Sequence, residues 1–194
     1  MVKTATERSR EGGINEKVKF VLGDSQNCPF ADNTFDVVIN ECAVGIPDDS
    51  QKVLNEMLRV VKPGGAVAIH ESTWKKTISE KEKNEISERY GTTPLEFKEW
   101  NAMLEKAGTI NIVSEFEQWS KPEMFWDIRK DRKVRNYKNV MMLSEKLRTA
   151  YRILKLYGIK GVYKVFENEK IFYKAILNGE LGYALFKGIK RSNL

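Results

Sequence analysis

Cysteine and histidine are nearly absent from this chain: Cys28, Cys42 and His70 are the only ones among its 194 residues. There is no C-x-x-C spacing, and one imidazole cannot build a cluster, so composition excludes a zinc site and a disulfide-stapled scaffold, and no metal is expected. No apolar run approaches the roughly 20 residues that a bilayer-crossing helix needs. The N-terminal MVKTATERSREGG lacks the apolar centre of a secretory signal, so no transmembrane segment is expected and a reducing cytoplasm suits the chain best. Internal repeats and low-complexity linkers are missing too, which leaves a single domain with an appendage, long enough to bury a real core.

Charge is abundant but unevenly spread. Residues 1–120 hold 15 Lys and Arg against 20 Asp and Glu, whereas residues 121–194 hold 18 against 7. The basic part is either a steering surface for an anionic substrate, partner or membrane face, or the solvated side of amphipathic helices; the pattern around Leu147, Arg148, Tyr151, Arg152, Leu154 and Lys155 suits the second reading. Steering would fall to residues such as Arg129, Lys130, Arg132 and Lys133.

Apolar periodicity organises the rest. Met1 to Glu11 reads as a helix stopped by Gly12-Gly13. Val18, Phe20 and Leu22 alternate as a strand that breaks at Gly23-Asp24, and Phe35 to Ile39 is a second strand ending at Asn40-Glu41. Asp48, Asp49 and Ser50 cap a helix carrying Val53, Leu54, Met57, Leu58 and Val61 at helical spacing, closed by Pro63-Gly64-Gly65. Ala66 to Ile69 is a third strand. Charged helices follow over 75–107, then a strand over Ile110 to Trp119, a basic helical region over about 122–178 broken at Gly158 to Gly161, and a final strand at Leu181 to Gly188.

Three segments in this order, Gly23-Asp24 with Pro29-Phe30, then Asp32-Asn33-Thr34-Phe35-Asp36-Val37-Val38, then Glu56-Met57-Leu58-Arg59-Val60-Val61-Lys62-Pro63-Gly64-Gly65, resemble the middle of a class I S-adenosylmethionine-dependent methyltransferase that acts on small molecules. The resemblance implies an α/β fold, a partial Rossmann-like sheet holding strands 3 to 7 of the family's order 3-2-1-4-5-7-6, with all but the seventh parallel. Strands 1 and 2 and the G-x-G-x-G loop between them have no counterpart in these 194 residues. The expected organisation is an N-terminally incomplete core over 1–120, a basic helical insertion over 121–180, and the last core strand with a tail over 181–194.

Small ligands bind outside the carboxyl ends of strands in such sheets. By the resemblance, Asp24 accepts from the adenine amino group of S-adenosylmethionine, Ser25 offers its backbone amide to the ring, and Asn40 and Glu41 line the methionine end and the acceptor's entrance. From the residues alone, Asp24 can equally cap a Gly-Asp turn, and Asn40-Glu41 can cap locally. Glu41 and His70 are the candidates for a general base, if the acceptor must lose a proton. A lone histidine is by default a hydrogen-bonded structural residue, and Cys42 matters only as a thiolate, for which no neighbouring cation argues. Trp74, Trp119, Phe125 and Trp126 can wall a pocket or fill a core.

The expected function is methyl transfer to a small-molecule acceptor, dependent on complementation by the missing part. Its rivals are a non-catalytic subunit that has lost cofactor binding, and a nucleic-acid-binding module using the basic region, against which the lack of a recognisable motif counts. The strand order also implies an uncovered edge at Phe35 to Ile39. That edge can recruit a second copy or a polypeptide supplying the missing strands, or can collapse onto the Val18 strand.

Overall fold

The computed structural model describes residues 2–116 and 143–192. Trp119, Phe125, Trp126, Arg129, Lys130, Arg132 and Lys133 lie outside the described residues.

In chain order the elements are α1 (Val2–Glu11), β1 (Phe35–Glu41), α2 (Ser50–Val60), β2 (Val61–Trp74), α3 (Glu80–Tyr90), β3 (Leu95–Glu96), α4 (Phe97–Ala107), β4 (Thr109–Phe116), α5 (Leu143–Leu177) and β5 (Leu181–Lys190). The sheet runs β1-β2-β5-β4, with the two-residue β3 beside β2. β1 is parallel to β2, and β5 is antiparallel to both β2 and β4. This matches the 4-5-7-6 half of the order that the resemblance implies, with the last strand slotted between its predecessors.

Each element has a local cause. Asp49 caps α2, its carboxylate accepting from the Lys52 amide at 2.9 Å. Gly65 stands where β2 passes β1 so closely that a side chain would meet the Asp36 carbonyl at 2.7 Å, and Gly64 takes a φ of 76°. Ser79 and Glu82 form a reciprocal capping box on α3, and Gly91 and Gly108 close α3 and α4 in the left-handed conformation. The apolar stripe of α2, namely Val53, Leu54, Met57 and Leu58, packs with Trp100 and Leu104 of α4 on the sheet face bearing Val67, Ile69, Ala184 and Phe186. Burial of each such side chain contributes about 1.5–3 kcal/mol. A second cluster, Trp74, Ile86, Phe172, Ala175, Ile176, Leu181 and Tyr183, covers the other face at one end of the sheet.

One expected strand does not form. Val18 to Leu22 is exposed and joins no ladder. A strand is held by inter-strand hydrogen bonds, and the neighbour that the family provides at this place is not in this sequence. Nor does this run collapse onto β1. Among the described residues β1 is therefore an edge strand, and Val37 and Ile39, on the face opposite Val38, are 54% and 72% exposed.

Candidate functional site

The carboxyl ends of β1 and β2 meet in register, Asn40 beside Ile69 and Glu41 beside His70. The two candidate bases, distant in sequence, are therefore brought to one place. The loop leaving β1 turns sharply at Cys42, where φ is 52°, and the Cys42 amide donates to the His70 carbonyl at 2.7 Å.

Below this loop lies Glu71, buried in β2. One of its carboxylate oxygens accepts from the amides of Ala43 at 2.8 Å and Val44 at 2.7 Å, and Asn40 Oδ1 also accepts from the Ala43 amide at 3.2 Å. The Gly45 carbonyl accepts from the Thr93 amide at 2.9 Å, so the loop is pinned on both sides. Burial holds the Glu71 carboxyl above its ordinary range, with the amides of Val44, Ala43 and Gly45 pulling the other way. Sequence reasoning missed Glu71, and its only signal there is a carboxylate two residues after the apolar run Ala66 to Ile69.

Above the loop, Cys42 Sγ lies 3.7 Å from His70 Nδ1, and the imidazole stacks on Tyr183 at 5.3 Å between centroids. The Tyr183 and Tyr90 hydroxyls are 3.3 Å apart, and Tyr90 stacks on Phe172 at 3.7 Å. An aromatic wall thus rises from the strand ends to α3 and α5. Burial, with Glu71 and Glu41 nearby, pushes the Cys42 thiol up to about 11. A thiol so placed is neutral near pH 7 and is no nucleophile. Trp74 is a core residue of the second cluster.

Asp24 and Ser25 sit apart from this group. Asp24 is exposed, and its Oδ1 accepts from the Gln26 amide at 2.8 Å in a tight turn. No hydrogen bond among the described residues joins that turn to Asn40 or Glu41. The next stretch is fastened to the last turn of α2. Arg59 donates to the carbonyls of Phe30 at 2.8 Å and Cys28 at 3.0 Å, to Asp32 at 2.7 Å and to Glu56 at 2.8 Å, while Glu56 accepts from the Cys28 amide at 2.9 Å. The glutamate and arginine of the Glu56-to-Gly65 motif are therefore a clamp on the preceding loop.

Asp24 Oδ1 is already engaged by the Gln26 amide and Asn40 Oδ1 by the Ala43 amide, and no G-x-G-x-G turn occurs in these 194 residues for a backbone approach to ribose and methionine.

Residues 1–69 match the methyltransferase domain family. The ubiquinone/menaquinone biosynthesis C-methyltransferase UbiE of Idiomarina loihiensis is 42% identical over 71 residues, which are 37% of this chain and 28% of that protein. The norajmaline N-methyltransferase of Rauvolfia serpentina is 38% identical over 68 residues, 35% of this chain and 23% of its own length. The chain spans less than a third of these relatives. Among solved structures, phosphoethanolamine N-methyltransferase 2 of Haemonchus contortus, with S-adenosyl-L-methionine, superposes with a TM-score of 0.66 at 20% identity, covering 96% of this chain and 40% of that one. The geranyl diphosphate C-methyltransferase of Streptomyces coelicolor gives 0.63 at 14% identity, covering 97% and 59%. These two likenesses speak for the fold alone.

Proposed function

We propose, from the match of residues 1–69 to the methyltransferase domain family, that this chain takes part in S-adenosylmethionine-dependent methyl transfer to a small-molecule acceptor, working with a polypeptide segment that supplies the strands and glycine loop beside β1. The observation that carries this reading is the free β1 edge next to a strand-end site whose loop is already built. The strands of residues 35–116 and 181–190 form one sheet, and Phe172, Ala175 and Ile176 of α5 join the cluster on one of its faces.

The sulfonium of the cofactor supplies a methyl group already activated for transfer, which leaves alignment and water exclusion to the protein. In this chain Asp24 and Ser25 take the adenine edge, Asn40 and Glu41 flank the acceptor's entrance, and the Tyr90–Tyr183–His70 wall excludes water from one side. Glu41 is the exposed carboxylate best placed to accept an acceptor's proton. His70, held between Cys42 and Tyr183, positions that wall.

Calorimetric titration tests the proposal. The chain alone should bind S-adenosylmethionine weakly or not at all, and adding a strand–glycine-loop–strand polypeptide should restore micromolar binding. Asp24→Ala should then weaken it roughly tenfold to a hundredfold, the worth of a hydrogen bond to a charged group. A low-micromolar Kd for the chain alone would show that nothing is missing. No binding even with the added polypeptide would favour a non-catalytic subunit, a reading supported by the unserved methionine end.

A further inference from the structure

Gly158, with φ 65° and ψ −174°, divides α5 into two halves. The second half is fixed to the body through Phe172, Ala175 and Ile176 of the second core cluster. The first half presents two stripes, with Leu156 and Tyr157 exposed outside them. Leu147, Tyr151 and Leu154 succeed each other at helical steps and are 63%, 63% and 46% exposed. Arg148, Arg152 and Lys155 repeat the same steps one residue later and are also exposed, which sets a cationic stripe about 100° around the helix from the apolar one. No acidic residue occurs from Lys146 to Phe166. An ordinary solvated helix hides its apolar stripe against the body. This one leaves its apolar stripe exposed beside its cationic one.

We propose that the first half of α5 is an interfacial anchor that lies on an anionic phospholipid surface. Leu147, Tyr151 and Leu154 sink to the acyl boundary, and Arg148, Arg152 and Lys155 rest on headgroup phosphates. The sign of the charge selects anionic lipid. The leucines select lipid over nucleic acid, since a nucleic acid rewards cations and stacked aromatics but offers no apolar interior to an aliphatic side chain. No described helix is long and apolar enough to cross a membrane, so this one lies along the surface. The break at Gly158 lets it take an angle of its own.

Vesicle flotation of the full chain provides the test. Vesicles of phosphatidylcholine with phosphatidylglycerol should bind the protein, vesicles of phosphatidylcholine alone should bind it much less, and salt should weaken the binding. Replacing Arg148, Arg152 and Lys155 together by Gln should lower affinity about fivefold per residue, roughly a hundredfold in all. Leu147→Ser with Leu154→Ser should abolish binding even at low salt, while the urea midpoint stays that of the parent, because both side chains are exposed. Three outcomes would overturn the proposal: no preference for anionic vesicles, binding to a homopolymer RNA that the leucine changes leave intact with no lipid binding, or a concentration-dependent dimer that the leucine changes dissociate.

Discussion

Replacing Glu71 by Ala should be among the most damaging changes to the site, and its cost can be worked from the geometry. The amide of the fully buried Val44 loses its 2.7 Å acceptor, and the Ala43 amide keeps only the 3.2 Å bond to Asn40. A buried amide left without an acceptor costs about 1–3 kcal/mol, and weakening the second bond adds about 1 kcal/mol. Relief of carboxylate desolvation offsets part of this, for a net loss of about 2–3 kcal/mol. The pH dependence sharpens the test. Burial raises the folded-state pKa of Glu71 above its unfolded value, so the folded state holds the proton more tightly. The stability linked to it is fully present below about pH 4.5 and is lost as pH rises through the raised value. The parent's advantage over Glu71→Ala should therefore be larger near pH 5 than near pH 8, and Glu71→Gln should flatten the slope while keeping one acceptor. Urea unfolding of the three proteins at both pH values, followed by far-UV circular dichroism, reads these differences. A Glu71→Ala midpoint equal to the parent's, or a gap that widens towards alkaline pH, would refute the reasoning.

Hydrogen exchange should find the amides of Asp36 to Ile39 less protected than those of Ala66 to Ile69, because β2 has neighbours on both sides and β1 on one; equal protection would mean that the edge is covered. Cys42 should react with iodoacetamide near pH 7.5 roughly two orders of magnitude more slowly than a free thiol, since its ionisation is pushed to about 11, and fast alkylation at neutral pH would disprove that environment. Arg59→Ala should release the 28–32 loop from α2, seen as faster exchange at Cys28 and Phe30 and a new proteolytic site there, with α2 itself still protected; an unchanged loop would show that Glu56 and the local turns suffice.

The sequence by itself determined the strands at Phe35, Ala66 and Leu181, the capped start of α2 and the stop after α1 at Gly12-Gly13, because each depends on periodicity and on backbone preferences that act within a few residues. Val61, expected on the helix, and Pro63-Gly64-Gly65, expected to end it, belong to β2 instead, where Val61 pairs with Phe35. It also marked the strand ends as the place of interest, and Asn40, Glu41 and His70 do converge there. Tertiary structure decided what local pattern could not. Val18 to Leu22 alternates like a strand yet forms none, because a strand exists only with a partner, and partners are not a property of the segment. Glu71 reads as one more acid until the fold buries it under three loop amides. The pairing of Glu56 with Arg59 looks like helix-surface charge until the preceding loop closes on it. Asp24 and Ser25 stand on a turn of their own, held by the Gln26 amide on Asp24 Oδ1, and no hydrogen bond among the described residues joins that turn to Asn40 or Glu41.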